Sequence, residues 1–337
     1  MSVRFAVIGV NHPHIHGQIA FALEGGAEFA GWFAPEPELA EAFAAQYGAI
    51  PKAASAEALL DDPSIQLIVT AGIPADRAPL GIQAMRRGKD VMTDKPGATS
   101  LAQLAELRAV QRETGRIYSI CYSERFETRS TVHALDLVRQ GAIGQVVNMV
   151  GLGPHHAKLP TRPWWFFKRE RFGGILCDIA SHQCDQFLAF TGATTAEVVT
   201  SSIANRHHPQ HEELEDFGEI LLRCATATGY IRVDWFTPDG LGVWGDGRLT
   251  ILGTEGYIEL RKYIDIQGRP GKDHLFLVDA KGSRYVDCSG VELPYGRQLI
   301  ADVRDRTETA MSQAHCFLAT ELALTAQARA TRLGALR

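Results

Sequence analysis

The chain has no long apolar run, no surplus of positive charge and no paired-cysteine spacing, and each absence removes a class of function. No stretch of its 337 residues approaches the roughly 20 consecutive apolar residues that a membrane-spanning helix needs. A formal net charge of −5 leaves no basic surface on which to wrap nucleic acid. Six cysteines, at 121, 177, 184, 224, 288 and 316, never fall in a Cys-x-x-Cys spacing, which fits reduced, mostly buried thiols and not a disulfide framework. The N-terminus runs straight into an apolar strand without the basic region, longer apolar segment and small-residue cleavage site of a secretory signal, so a cytoplasmic location is expected. The partner these exclusions leave is a small molecule.

What is present suits two domains, because 337 residues exceed one average domain and supply material for two cores. Apolar strand-like runs alternate with helical segments from the start: a strand over Arg4 to Gly9, a helix to about Leu23, a strand over Glu28 to Phe33, a helix over Pro37 to Tyr47, and a short helix that Ser55 would cap. Ile65 to Thr70 is nearly all apolar, as a parallel strand buried on both faces should be. A helix over Pro79 to Arg87, a strand over Asp90 to Thr93, a helix from Ser100 to Gly115 and a strand over Ile117 to Tyr122 follow. This alternation predicts a doubly wound sheet of the Rossmann type, whose ligand lies beyond the carboxyl ends of the strands.

The glycine fingerprint that accompanies such a sheet is incomplete. In G-x-G-x-x-G the first glycine makes the turn, the second lets the backbone approach a pyrophosphate, and the third lets helix meet strand. Here the slots hold Gly9, Asn11 and His14. Asparagine tolerates positive φ better than other non-glycine residues, so the turn can survive while the approach of a pyrophosphate changes. Ala34 stands where an acid would hold a ribose hydroxyl. The neighbouring Glu36 and Glu38, with no Arg or Lys near, would repel a 2′-phosphate, which favours NAD over NADP. His12, His14 and His16 read in three ways: as a metal pair at four-residue spacing, as neighbours of the phosphates, or as caps of the helix.

Beyond Tyr122 the pattern changes. A helix over Thr128 to Gln140 leads to a strand over Val146 to Gly151 and a loop rich in His, Pro and Trp. Gly173-Gly174 then turns into a helix carrying Asp178, His182 and Asp185 at i, i+4 and i+7, which places an acid, an imidazole and a second acid on one face. A histidine beside a carboxylate is a natural general base near neutral pH. The same pair on a helix surface is also an ordinary contact worth about 0.2–0.5 kcal/mol. From Val198 onward strand-like runs dominate, and the alternation in Tyr230-Ile231-Arg232-Val233-Asp234-Trp235 marks a half-buried antiparallel sheet. Gly253-Thr254-Glu255-Gly256 reads as a hairpin turn, and a helix over Tyr295 to Arg329, with room for an interruption, closes the chain.

A Rossmann half followed by a mostly antiparallel half, with Asp94-Lys95-Pro96 after a strand, Gly173-Gly174 ahead of Asp178-x-x-x-His182, and Gly253-Thr254-Glu255-Gly256 in a hairpin, resembles the Gfo/Idh/MocA family. This is the glucose-fructose oxidoreductase and inositol dehydrogenase family, and the resemblance covers essentially the whole chain. It implies an N-terminal Rossmann NAD(P)-binding domain over 1–122 and, over 123–337, an α+β domain built on a large, mostly antiparallel open sheet that binds substrate and mediates oligomerisation. It implies hydride transfer between a nicotinamide and a carbinol of a sugar, sugar acid or cyclitol. Lys95, Asp178 and His182 are the implied catalytic set, meeting where the two domains meet. Cofactor contacts are implied for Gly9, Asn11, His12, His14, Ala34, Ala71, Asp94 and Lys95. His182 would take the alcohol proton, Asp178 would bind a hydroxyl or orient the ring, and Lys95 would polarise the substrate oxygen.

The aromatic and charged residues ahead of the Asp/His helix suit a polyhydroxylated ring, whose C–H faces pack on aromatics while its hydroxyls take polar groups. His156 and Trp165 are the substrate contacts expected there, with Arg162 and Lys168 suited to an acidic sugar. Two other functions stand beside the dehydrogenase. One is a redox-neutral lyase or glycoside-cleaving enzyme using bound NAD, or a divalent metal on Asp178, His182 and a histidine of the 206–213 loop. The other is a sugar sensor that has lost its cofactor, motivated by Asn11 and Ala34. Ile231, Val233 and Trp235 on one side of their strand, and Tyr230 and Phe236 on the other, predict a sheet face covered by helices or by another subunit, hence a homodimer or homotetramer.

Overall fold

The structure, a computed structural model, describes residues 2–334. Its elements in chain order are β1 (Arg4–Ile8), α1 (Ile15–Glu24), β2 (Glu28–Phe33), α2 (Pro37–Tyr47), α3 (Ala56–Leu60), β3 (Leu67–Thr70), α4 (Pro74–Arg86), β4 (Asp90–Asp94), α5 (Leu101–Thr114) and β5 (Tyr118–Cys121). Then come α6 (Ser123–Phe126), α7 (Arg129–Arg139), β6 (Val146–Pro154), α8 (Arg169–Phe172), α9 (Ile175–Asp178), α10 (Ala180–Thr191), β7 (Glu197–Ala204), β8 (Phe217–Arg223) and β9 (Thr228–Asp234). The rest are β10 (Arg248–Gly253), β11 (Gly256–Arg261), β12 (His274–Asp279), β13 (Gly282–Val286), α11 (Tyr295–Asp305), α12 (Gln313–Arg329) and β14 (Thr331–Arg332). Contacts divide the chain into two compact units. The first runs through Cys121 and takes in 170–173 and 294–317; the second holds 122–169, 174–293 and the chain from Leu318 onward. The partition is thus more interleaved than a single cut after residue 122, since the segment carrying α11 packs with the first unit, where it lies against α1.

In the first unit, five parallel strands are ordered β2-β1-β3-β4-β5. Every residue of β3 and β4 is buried, which is why Leu67–Thr70 reads as a nearly continuous apolar run and not as alternation. After β1 the chain moves to one side of the sheet and after β2 it returns to the other, so the switch point lies at the carboxyl ends of β1 and β3. Ser55 and Ser100 cap α3 and α5 through their hydroxyls, and α5 ends at Gly115 with φ +61°, as read from the sequence. α4 differs from expectation. It begins at Pro74, five residues before Pro79, because a proline at the first helical position has no amide to satisfy; Pro79 sits inside the helix.

In the second unit a nine-stranded sheet runs β13-β12-β11-β10-β6-β9-β8-β7-β14. Its pairings are antiparallel except β6 with β9 and β7 with β14. α10 covers one face, lying on β6 and β9. Alternate glycines on β6 make this close approach possible: a Cβ at Gly151 or Gly153 would come within 3.0 or 2.9 Å of the Gln183 side chain. The single helix expected through Asp178 and His182 is two, with Asp178 ending α9 and Ile179 joining it to α10. The His182 amide bonds the Ile179 carbonyl at 3.1 Å, a tightened i to i−3 turn. Asp185 is spoken for: it holds Arg125 of α6 through two bonds of 2.7 Å.

The strand alternation sorts as expected, with Ile231, Val233 and Trp235 buried and Tyr230 and Phe236 exposed. Register carries the outward row from Tyr230 to Leu221 on β8 and Val150 on β6, and on the β10–β11 pair to Leu252 opposite Tyr257. Among the described residues no helix is long and apolar enough to cross a membrane.

Candidate active site

In the first unit the residues expected to hold a dinucleotide gather at the switch point. Gly9 follows β1 with φ +82°, and a Cβ there would come within 3.0 Å of the Gly72 backbone beyond β3, so only glycine fits. Ala71 ties the two strand ends together, its carbonyl accepting from the His12 amide (2.9 Å) and its amide donating to the Gly9 carbonyl (3.2 Å). Ala34 is buried and offers only a methyl group. An acid stands two residues later. Glu36, at the entry to α2, turns back to accept the Asn11 amide at 2.7 Å. Its second oxygen, Oε2, is buried and has no hydrogen-bond partner. A lone carboxylate acceptor beyond β2 is what a ribose hydroxyl requires, and a phosphate there would meet like charge. These residues therefore fit a dinucleotide, for which Gly9 leaves the backbone clear, Glu36 offers a carboxylate acceptor and the start of α1 offers the amides of a helix N-terminus.

Asp94 at the end of β4 organises the other side of this loop. His14 Nδ1 donates to Asp94 Oδ1 at 2.9 Å and Arg77 Nη2 pairs with Oδ2 at 3.1 Å. Burial alone would raise this carboxyl, but His14, Arg77 and His12 more than offset it and hold Asp94 well below the usual carboxylate range. Arg77 also donates to the carbonyls of Gly72 (2.8 Å), Lys95 and Pro96 (3.2 Å), so one buried guanidinium shapes the turn that carries Lys95. The Lys95–Pro96 bond is cis. Burial and the adjacent His14 push His12 well below the ordinary imidazole range, and its Nδ1 accepts the His14 amide at 3.2 Å. His16 is set apart, bonding the Tyr47 hydroxyl at 3.0 Å.

His12, His14 and Asp94 are the group among the described residues whose potential ligand atoms lie within 4.8 Å of one another. Hydrogen bonds engage His12 Nδ1, His14 Nδ1 and Asp94 Oδ1, and the Arg77 guanidinium at Asp94 Oδ2 would oppose a cation, so the geometry is a bonded dyad more than a metal cage. Asp178 and His182 join no such group among the described residues. In the 206–213 loop, His208 Nδ1 instead bonds Asp216 at 2.9 Å and His211 stacks on Phe167 with centroids 4.1 Å apart.

In the second unit His182 is 2% exposed on α10, with the Tyr122 ring edge-on at 6.1 Å. Below it lies a buried polar network the sequence did not reveal. Glu124 Oε2 accepts from Lys262 Nζ (2.7 Å) and Gln183 Nε2 (3.0 Å), while Gln186 accepts from the same ammonium (2.7 Å) and donates to the His182 carbonyl (3.0 Å). Burial would raise Glu124, yet Lys262, His182 and His155 pull it down to about 2. His155, not His156, is the loop histidine within electrostatic reach of this network; it packs on Trp235 and Trp244 at 5.4 and 4.5 Å. His156 turns to Asp239, and Trp165 is buried in a short 3₁₀ turn. Arg162 lies between Phe166 and Trp235 at 4.5 and 4.8 Å, bonded to the carbonyls of Ala157 and His156, with the Asp178 carboxylate acting on it. Lys168 pairs instead with Glu213 at 2.7 Å.

Because Glu124 is held at about 2 against an ordinary 4.5, its contribution to stability is complete above about pH 4.5 and is lost as pH falls toward 2. Urea unfolding at pH 5 and pH 3 should therefore show a smaller acid loss in Glu124→Gln than in wild type; equal losses would remove Glu124 from the acid response.

Two family models match the chain. "Oxidoreductase family, NAD-binding Rossmann fold" covers residues 3–122 and "GFO/IDH/MocA C-terminal domain" covers residues 131–259. A scyllo-inositol 2-dehydrogenase (NAD(+)) of Bacillus subtilis (strain 168) is 25% identical over 84% of this chain and 79% of its own length. Against another curated relative, 30% identical, the match spans 40% of that protein's length. A crystal structure of a protein from Erwinia carotovora atroseptica SCRI1043, provisionally called an oxidoreductase, superposes with a TM-score of 0.96 at 47% identity, covering 99% of this chain and 100% of that one. Levoglucosan dehydrogenase in complex with NADH and levoglucosan shares the fold, with a TM-score of 0.82 at 18% identity over 97% of this chain and 98% of its own. The two family models, matching residues 3–122 and 131–259, place the chain in the Gfo/Idh/MocA family of oxidoreductases.

Proposed function

We propose that the protein is an NAD-dependent dehydrogenase of a sugar, sugar acid or cyclitol carbinol, working in the cytoplasm. The observation that carries the cofactor choice is Glu36, whose buried Oε2 lacks a partner beside Asn11. Bound NAD supplies the hydride acceptor. His182 takes the hydroxyl proton as the carbinol is oxidised, with Asp178 one turn before it to bind a substrate hydroxyl or steer the ring. Lys95, aimed by the turn that Arg77 holds, places positive charge on the oxygen where negative charge develops. His155, Trp235 and Trp244 supply aromatic faces in the same unit as His182, and we assign them to the substrate ring ahead of His156. The scyllo-inositol and levoglucosan activities named for the relatives support a neutral polyol as the first substrate class to try.

Calorimetry should show NAD binding more tightly than NADP. Glu36→Ala should weaken NAD by about 10- to 100-fold, the loss of a hydrogen bond to a charged group, and narrow the gap to NADP; tighter NADP binding by wild type would reverse the cofactor assignment. In a polyol panel read by NADH formation, His182→Asn should lose about 10²- to 10⁴-fold in kcat/KM and Lys95→Met about 10²- to 10³-fold. Turnover of substrate with no net NADH would favour the redox-neutral cleavage reading. The outward face with Leu252, Tyr257 and Tyr230, each 36% or more exposed, supports burial against a second copy of the chain. Light scattering should give a dimer or tetramer, and dissociation by Tyr257→Lys would locate the contact; a monomeric wild type would exclude it.

A further inference from the structure

The network beneath His182 has more structure than stability calls for. Glu124 and Lys262 are each about 1% exposed and paired at 2.7 Å, and a buried ion pair contributes little net stability over an apolar pair of the same shape. What the pair does have is a grip on one turn of α10. Glu124 holds Gln183, the residue after His182, and Lys262 holds Gln186, whose amide in turn donates to the His182 carbonyl. Gly151 and Gly153 on β6 keep the space that Gln183 fills. Glu124 Oε1 is left buried with no hydrogen-bond partner, and His182 and His155 act electrostatically on the carboxylate together with Lys262.

We propose that Glu124 is a positioning residue for His182, fixing the turn that carries the imidazole and keeping a permanent negative charge beside it. This rests on His182 being the base. When His182 takes a proton from substrate its ring becomes cationic, and a fixed carboxylate in a low-dielectric setting favours that form. The other charged or titratable groups around this turn among the described residues are Asp178 ending α9, Cys184 and Asp185 on α10, the latter bonded to Arg125 of α6, Tyr122 ahead of α6, His155 after β6, and Lys262 and Tyr263 after β11. Lys262 offsets part of the Glu124 charge, so the effect of each can be read by removing them in turn.

The test is an NMR titration of protein labelled in its histidine rings, with the His182 signal assigned by its loss in His182→Asn. In Glu124→Gln, which keeps the shape and an acceptor for Lys262, the His182 titration should move to lower pH. In Glu124→Gln/Lys262→Met, which leaves no buried charge unpaired, it should fall between that variant and wild type. Thermal unfolding monitors each variant, and if the single variant does not fold the double variant carries the comparison with wild type. A His182 titration unmoved in the folded variants would reduce Glu124 to a packing role and overturn the proposal. The two readings fail separately: a titration that moves while His182→Asn keeps full turnover retires the base and leaves the coupling intact.

Discussion

A carboxylate with no access to water has to be answered by its neighbours, and Asp94 sets that demand at the centre of the nucleotide-binding unit. Its two oxygens face His14 and Arg77, and Arg77 is itself committed to three backbone carbonyls, two of them in the turn that presents Lys95. The loop after β1, the end of β3 and the turn after β4 are thereby tied to one ion pair. Removing either partner would leave a buried charge unpaired, which costs about 3–5 kcal/mol. His14 is engaged with Asp94 through Nδ1, while burial and the adjacent His14 push His12 well below the ordinary imidazole range.

The departures from the glycine fingerprint become intelligible against this arrangement. His14 occupies the third glycine slot because it has a carboxylate to hold, and Asn11 occupies the second because its amide is bonded to Glu36. Side chains replace the bare backbone approach of the usual loop with fixed polar groups. Only Gly9, pressed against Gly72, leaves no room for substitution. The absence of glycines at two slots is thus a change in how the loop is built.

The second unit solves a different problem, that of seating polar residues between a helix and a sheet. α10 lies on β6 and β9 with Gln183, Asp185 and Gln186 all buried. Each is bonded: Asp185 to Arg125, the glutamines into the Glu124–Lys262 pair. These bonds tie one turn of α10 to α6 and to the chain after β11, and His182 sits on the helix that they brace. Trp235, His155 and Trp244 form an aromatic wall in the same unit, held by the end of β6 and the segment after β9.

Much of this was legible in the residues alone. Local rules sufficed for the parallel strands, the serine caps, the glycine-terminated helix, the β10–β11 hairpin and the inward and outward faces of β9, because each depends on periodicity or on a single residue's backbone preference. The motifs around Lys95, Asp178 and His182 were likewise visible at fixed spacing. The partners were not. Glu36 reaches Asn11 across 25 positions, Asp94 meets His14 across 80, and Lys262 meets Glu124 across 138. No periodicity marks such pairs, since an isolated glutamate or lysine in a sequence reads as solvated surface. Whether it is buried, and which charge answers it, is decided only when distant strands and helices close around it.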